Sequence, residues 1–289
     1  MFFDRIFTAA VANTDRDRYN SNCIIIPERM IKMKVTVLAE NTSRCGLPAE
    51  HGLSLYIETE NRKILFDTGQ SELFSENAER LGVDLKKVDI AVISHGHYDH
   101  GGGLKTFLKL NGSAPVYLHR CAFEPHFNGT EKYIGLDTSL AESPRLHFTE
   151  GSTEIADGLT LYDCNSKEKL TDLGSFGLNM VQNGQMLPDD FRHEQYLMIE
   201  ENGKKVLISG CSHKGIINIV DWFRPDVLVG GCHFSKLPLD GKLTEYAKTL
   251  NSFPTVYYTC HCTGTEQFEH MKQSIKNLHY ISTGDVTEI

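Results

Sequence analysis

His95-Gly96-His97-Tyr98-Asp99-His100 follows the apolar run Val88-Asp89-Ile90-Ala91-Val92-Ile93-Ser94, and the reading of that junction decides the fold. A strand that ends in three imidazoles and a carboxylate is hard to account for by packing. Neutral imidazole and carboxylate are the usual ligands of Zn²⁺ and similar ions, at roughly 2.0–2.2 Å. In an extended segment His95 and His97 point the same way and can share one ion. Asp99 and His100 lie past the turn, within reach of a second ion. Glycines 101 to 103 then let the backbone bend without a Cβ penalty. A solvated loop that merely happens to contain histidine rarely clusters ligands this closely.

The spacing H-x-H-x-D-H after a strand resembles the signature of the metallo-β-lactamase superfamily. More locally, three runs resemble one branch of it: Ser94 to Gly103, Gly210-Cys211-Ser212-His213-Lys214-Gly215-Ile216, and His261-Cys262-Thr263-Gly264. That branch holds predicted metal-dependent hydrolases together with the archaeal dihydropterin-methyl-(ribofuranosyl)aminobenzene phosphate synthase. The resemblance runs from about Met33 to the C-terminus. It implies an α/β (α+β) fold, a four-layer αββα sandwich with the site at one edge where strand ends meet. It also implies two divalent metal ions, zinc in the first place and manganese or iron as alternatives.

The rest of the chain is consistent with an ordinary soluble protein. Its 289 residues are enough for a full core, and 40% are hydrophobic and 23% charged. The net charge of −9, with no basic cluster, argues against a nucleic-acid partner. No apolar run approaches the roughly 20 residues that cross a bilayer, so no membrane role is expected. Eight cysteines form no C-x-x-C pair, and reduced thiols in the cytosol are the better reading. Near the N-terminus Ala10-Val11-Ala12 imitates a signal-peptidase site. Asp4 cancels Arg5, however, and the apolar stretch is short, so a secretory signal is not expected. Residues 1–32 read as an extension outside the fold and 33–289 as the domain proper.

From residue 34 strand and helix signals alternate. Residues 53–59 and 63–66 predict a hairpin turning at Glu60-Asn61. Helical apolar spacing predicts helices over 71–81, 103–110, 216–223, 243–250 and 265–275. The last carries Thr263-Gly264-Thr265-Glu266, a capping-box pattern. Further strands are expected at 116–119, 159–164, 196–200, 205–209, 226–229 and 255–259. This order fits two mixed sheets packed face to face with helices outside. Residues 120–190, rich in turn residues such as Gly174, Gly177 and Gly184, are expected to form an inserted lid or binding loop.

A two-metal centre needs more ligands than one hexapeptide supplies. His213 lies just past a strand and is the expected third imidazole of the first ion; His261 is expected to complete the second beside Asp99 and His100. Cys211 stands where many members of the resembled family carry a bridging Asp, and it reads either as a thiolate ligand or as a buried core residue. Most such members place the third imidazole earlier, after a glycine. Here that neighbourhood is Asp189-Asp190-Phe191-Arg192-His193-Glu194-Gln195, without the glycine turn, which leaves His193 as the reserve candidate. Asp67, ending the apolar run before Thr68-Gly69, reads either as a turn cap or, as the resemblance favours, as a carboxylate that orients a ligand imidazole. Asp67 joins Asp99 in the expected catalytic set. Glu50, His51 and His233 are candidate substrate contacts. His119, His126, His147, His270 and His279 have no supporting context.

Two divalent ions lower the pKa of bound water and orient an attack, and no Gly-x-Ser-x-Gly elbow is present to suggest another nucleophile. After Asp99 and a Cys211 thiolate are subtracted such a centre stays net positive, which favours small anionic substrates bearing phosphate or carboxylate. His97, where some members of the family carry Glu, favours zinc-type hydrolysis over di-iron redox chemistry. A metal-dependent hydrolase is therefore the first expectation. A transferase like the pterin synthase, with a diphosphate leaving group, is the second, and a metal-binding scaffold without turnover is the third.

Overall fold

In the computed structural model, which describes residues 33–289, the most apolar strands are buried along nearly their whole length. Burial on both faces is what a sheet covered by a second sheet on one side and by helices on the other requires. Lys34–Ala39 pairs antiparallel with Ser54–Glu58, which turns as expected into Lys63–Phe66. Ile90–Val92, Val116–His119 and Leu146–Thr149 then add in parallel, and Val286–Glu288 closes the far edge. The second seven-stranded sheet runs Leu278–Tyr280, Val256–Thr259, Val227–Val229, Lys204–Ile208, Tyr196–Glu201, Leu159–Tyr162 and Ser152–Ala156 in space.

One apolar cluster joins the inner faces of both sheets, with Val35, Leu55, Phe66 and Val92 meeting Leu161, Leu197, Ile208 and Val229. Truncating a fully buried member such as Leu197 to Ala costs about 2–5 kcal/mol. Helices Leu73–Arg80 and Leu104–Leu110 cover the outside of the first sheet. Ile216–Phe223, Gly241–Asn251 and Thr265–Lys272 cover the second. The result is the expected four-layer αββα sandwich.

Two local expectations are corrected. Residues 120–190 do not form one insert: Leu146–Thr149 extends the first sheet, while Ser152–Ala156 and Leu159–Tyr162 extend the second. A separate four-stranded sheet is built only from His126–Asn128, Lys132–Tyr133, Leu178–Gln182 and Gln185–Pro188. Leu159–Tyr162 matches the strand expected at 159–164, whereas Leu146–Thr149 and Ser152–Ala156 are short edge strands whose apolar alternation is too brief to stand out from the surrounding turns. The capping box also fails to form. Gly264 is the N-cap of the last helix, and the Thr263 hydroxyl instead accepts the Cys232 N–H at 2.9 Å. The expected extension at 1–32 lies outside the described residues.

Candidate metal centre

The parallel strands Lys204–Ile208, Val227–Val229 and Val256–Thr259 all end on one rim. Their loops deliver Cys211 and His213, then His233, then His261, opposite the hexapeptide that leaves Ile90–Val92. The two sheets come very close here. A Cβ on Gly210 would lie 2.2 Å from Ser94 Oγ, so only glycine lets these loops meet.

His95, His97 and His213 direct ligand atoms to one point, all within 4.8 Å of one another and all buried. His95 Nε2 and His213 Nε2 are 3.3 Å apart. The tautomer of His95 follows from its neighbours. Ser94 Oγ donates its proton to Asp67 Oδ2 at 2.7 Å, so it must accept from His95 Nδ1 at 2.8 Å. That leaves the His95 Nε2 lone pair facing the pocket. Burial, followed by the surrounding imidazoles, holds the pKa values of His95 and His213 well below the ordinary histidine range.

Asp99, His100 and His261 form a second pocket. His100 Nε2 lies 3.2 Å from His261 Nε2, and Asp99 Oδ2 is 3.4 Å from the latter and 4.0 Å from the former. Again the outward nitrogens are held. His100 Nδ1 donates to Asp67 Oδ2 at 2.6 Å, and His261 Nδ1 donates to Asn41 Oδ1 at 2.7 Å. Burial alone would lower the pKa of His100, but Asp67 and Asp99 outweigh it and raise the value to about 9. Cys211 lies between the pockets, its Sγ 3.2 Å from His100 Nε2, and groups geometrically with donors of both. Burial, then Cys262, pushes its thiol pKa well above the ordinary value.

Buried imidazole nitrogens that converge beside a carboxylate and a thiol are a donor set that fits divalent zinc-class ions. The supporting groups were only partly anticipated. Asp67 is fully buried, touches His100 and Ser94, and does not line the cleft, so it braces the His100 ring from behind. Glu50 does not line the cleft. Its carboxylate accepts from Gln70 N, Ser71 N and Ser71 Oγ, and it braces the turn that follows Asp67. His193 stands one layer behind the first pocket, where its Nδ1 accepts from Gly96 N at 2.9 Å. His51, half-exposed, sits with Nε2 3.1 Å from Asp99 Oδ2, and the ring of His233 packs 4.2 Å from that of His213.

Two buried glutamates went unread in the sequence. Glu194 accepts the His213 N–H at 2.7 Å and the Tyr196 hydroxyl at 2.5 Å. Glu40 accepts the His261 N–H at 2.6 Å and the Tyr280 hydroxyl at 2.8 Å. Each fixes the loop of one late ligand. Cys262, beside Cys211 and His261, is a further donor that was quoted only as part of a motif. Glu40 and Glu194 have no local pattern that would reveal them, because the histidine loops they hold follow distant strands.

A cleft of about 400 Å³ opens above both pockets. Its walls include Tyr98, Asn128 and Lys132 on one side and Ser235 and Lys236 on the other, with His51 and His233 at the floor. Lys236 Nζ donates to Phe176 O at 3.0 Å, joining the His233 loop to the segment that leads into the small sheet.

The sequence profile described as the metallo-beta-lactamase superfamily matches residues 47–255. The chain belongs to that superfamily. A crystal structure of Tm1679, a metal-dependent hydrolase of the beta-lactamase superfamily, is similar at 30% identity with a TM-score of 0.75, over 89% of this chain and 99% of that one. An uncharacterized protein of Methanocaldococcus jannaschii is 29% identical, over 88% of this chain and 100% of its own length. The 7,8-dihydropterin-6-methyl-4-(beta-D-ribofuranosyl)-aminobenzene-5'-phosphate synthase of the same organism is 27% identical, over 86% and 94%. Membership of the metallo-β-lactamase superfamily supports metal-dependent hydrolytic chemistry at that level and divalent metal binding. Among the described residues no helix is long and apolar enough to cross a membrane.

Proposed function

We propose that this chain is a cytosolic hydrolase that uses two zinc-class ions against a small anionic molecule bearing phosphate or carboxylate. The observation that carries the reading is the pair of donor sets sharing Cys211 at the floor of a cleft flanked by Lys132 and Lys236. When bound, such ions supply a nucleophile from water near neutral pH and polarise the bond under attack. His95, His97 and His213 hold the first ion, and Asp99, His100 and His261 the second, with Cys211 between them. Asp67 keeps His100 turned so that Nε2 faces inward. Lys132 and Lys236 attract the anionic end of the substrate from opposite walls, and His51 and His233 contact it at the floor. The net charge of −9 argues against a nucleic-acid partner, and the partner in this reading is a small anionic substrate.

A second reading, a transferase, is favoured by the likeness to the archaeal synthase along nearly all of that protein's length. One experiment separates the readings. Zinc-loaded protein is incubated in ¹⁸O-water with phosphomonoesters, diphosphates and lactones. A hydrolase incorporates the label into one product, whereas a transferase consumes substrate only with an acceptor present and leaves the transferred group unlabelled. Metal binding without turnover of any compound would reduce the protein to a scaffold and overturn both.

A further inference from the structure

Behind the first pocket lies a buried cluster that none of the expected ligands explains: His126, Asp189 and His193, with the outer edge of His97. Asp189 Oδ2 is 2.8 Å from His126 Nδ1, 3.3 Å from His193 Nε2 and 3.8 Å from His97 Nε2, while Oδ1 accepts from Phe191 N at 2.8 Å. Four potential ligands so close together could be taken for a third metal site. The main chain argues otherwise. Gly96 N–H donates to His193 Nδ1, so the ring proton of His193 sits on Nε2 and points at Asp189. A nitrogen that carries a proton has no lone pair for a cation.

The cluster is therefore a hydrogen-bond acceptor fed by imidazole N–H groups. An ionised carboxylate accepts about four hydrogen bonds, and Phe191 N, His126 and His193 supply three. His97 Nε2 is buried and has no hydrogen-bond partner; it stands 3.8 Å from Asp189 Oδ2, the oxygen that also takes the His126 contact and the long His193 contact, so a small shift of its ring brings it into that shared contact. From this geometry we infer that Asp189 is the positioning residue of His97. It holds the His97 proton on Nε2 and turns the Nδ1 lone pair into the first pocket, as Asp67 does for His100 from the opposite nitrogen. His126 and His193 hold Asp189 ionised and aimed. The two pockets then have matching carboxylate supports, although these come from unrelated parts of the chain. This inference rests on the reading of His97 as a ligand of the first ion.

The test uses the full chain, first without metal and then titrated with Zn²⁺ against a competing chelator. Long-range ¹H–¹⁵N correlation spectra of the metal-free protein report which nitrogen of His97 is protonated. Nε2–H is expected, and Nδ1–H in the wild type would overturn the proposal without any variant. Asp189→Asn should populate the other tautomer and weaken the first ion by about 10–100-fold, leaving the second unchanged. Glu194→Gln, which loosens the His213 loop, should weaken the same ion while His97 keeps its tautomer, as a purely structural disturbance would. If His97→Ala leaves the first ion bound, the reading of the pocket fails. If His97→Ala removes the ion while Asp189→Asn keeps both tautomer and affinity, only the role of Asp189 falls.

Discussion

The two pockets stand side by side and share Cys211, yet they are built by opposite rules. Beside the shared Cys211 the first gathers buried, neutral imidazoles that meet edge to face, and Phe191 lies flat on His213 with ring centroids 4.4 Å apart. The second is organised around charge: Asp67 and Asp99 raise the pKa of His100, and His100, His261 and His51 hold Asp99 well below the usual carboxylate range against the effect of burial. In the first pocket packing fixes the geometry and the carboxylate stands one layer back. In the second a carboxylate stands among the donors, and the exposed His51 touches it from the cleft. Two adjacent donor sets thus lie in unlike surroundings, one braced by packing and one by charge.

The contrast breaks most sharply at Asp99. Asp99→Ala should lose the second ion and bring activity to background, while circular dichroism shows an unchanged fold and the first ion stays bound. Metal analysis that finds both ions still present would overturn the division into two pockets. Next in size is the comparison of His213 with His193. His213→Ala should abolish the first ion, whereas His193→Ala, acting one layer back, should weaken it by about 10–100-fold. The opposite ranking in chelator competition would make His193 the ligand and dissolve the all-imidazole pocket described above.

Asp67→Asn sharpens the comparison from the other side. It should weaken the second ion by about 10–100-fold and the first much less, because Asp67 bonds His100 directly but reaches His95 only through Ser94. Equal weakening of both ions would mean that Asp67 acts mainly through Ser94 and His95. The smallest effect concerns the small sheet that carries Asn128, Lys132 and Leu178 into the cleft wall. Hydrogen exchange of the zinc-loaded protein with and without pyrophosphate should show added protection at 126–133 and 178–188, with 90–92 and 204–208 unchanged. Uniform protection in both states would make that sheet a rigid wall that does not close.

The sequence by itself determined the hexapeptide and its place at a strand end, the positions of His213 and His261 beyond two later strands, and the layered order of strands and helices. These are local signals. Ligand spacing within six residues and apolar periodicity within one element do not depend on what lies elsewhere in the chain. Only the tertiary structure decided between His213 and His193 as the imidazole that meets His95. His95 and His213 are separated by 118 residues, and His193 meets Gly96 across 97. Their pairing is set by the register of two sheets and by a glycine that lets them touch. The same holds for Glu50, legible as a substrate contact by its position and found instead bracing a turn, and for Asp189, whose neighbours come from its own loop, from the strand His126–Asn128 and from the hexapeptide. A side chain's chemical type is fixed by the sequence; whether its partner is an imidazole, a backbone amide or a substrate depends on long-range packing.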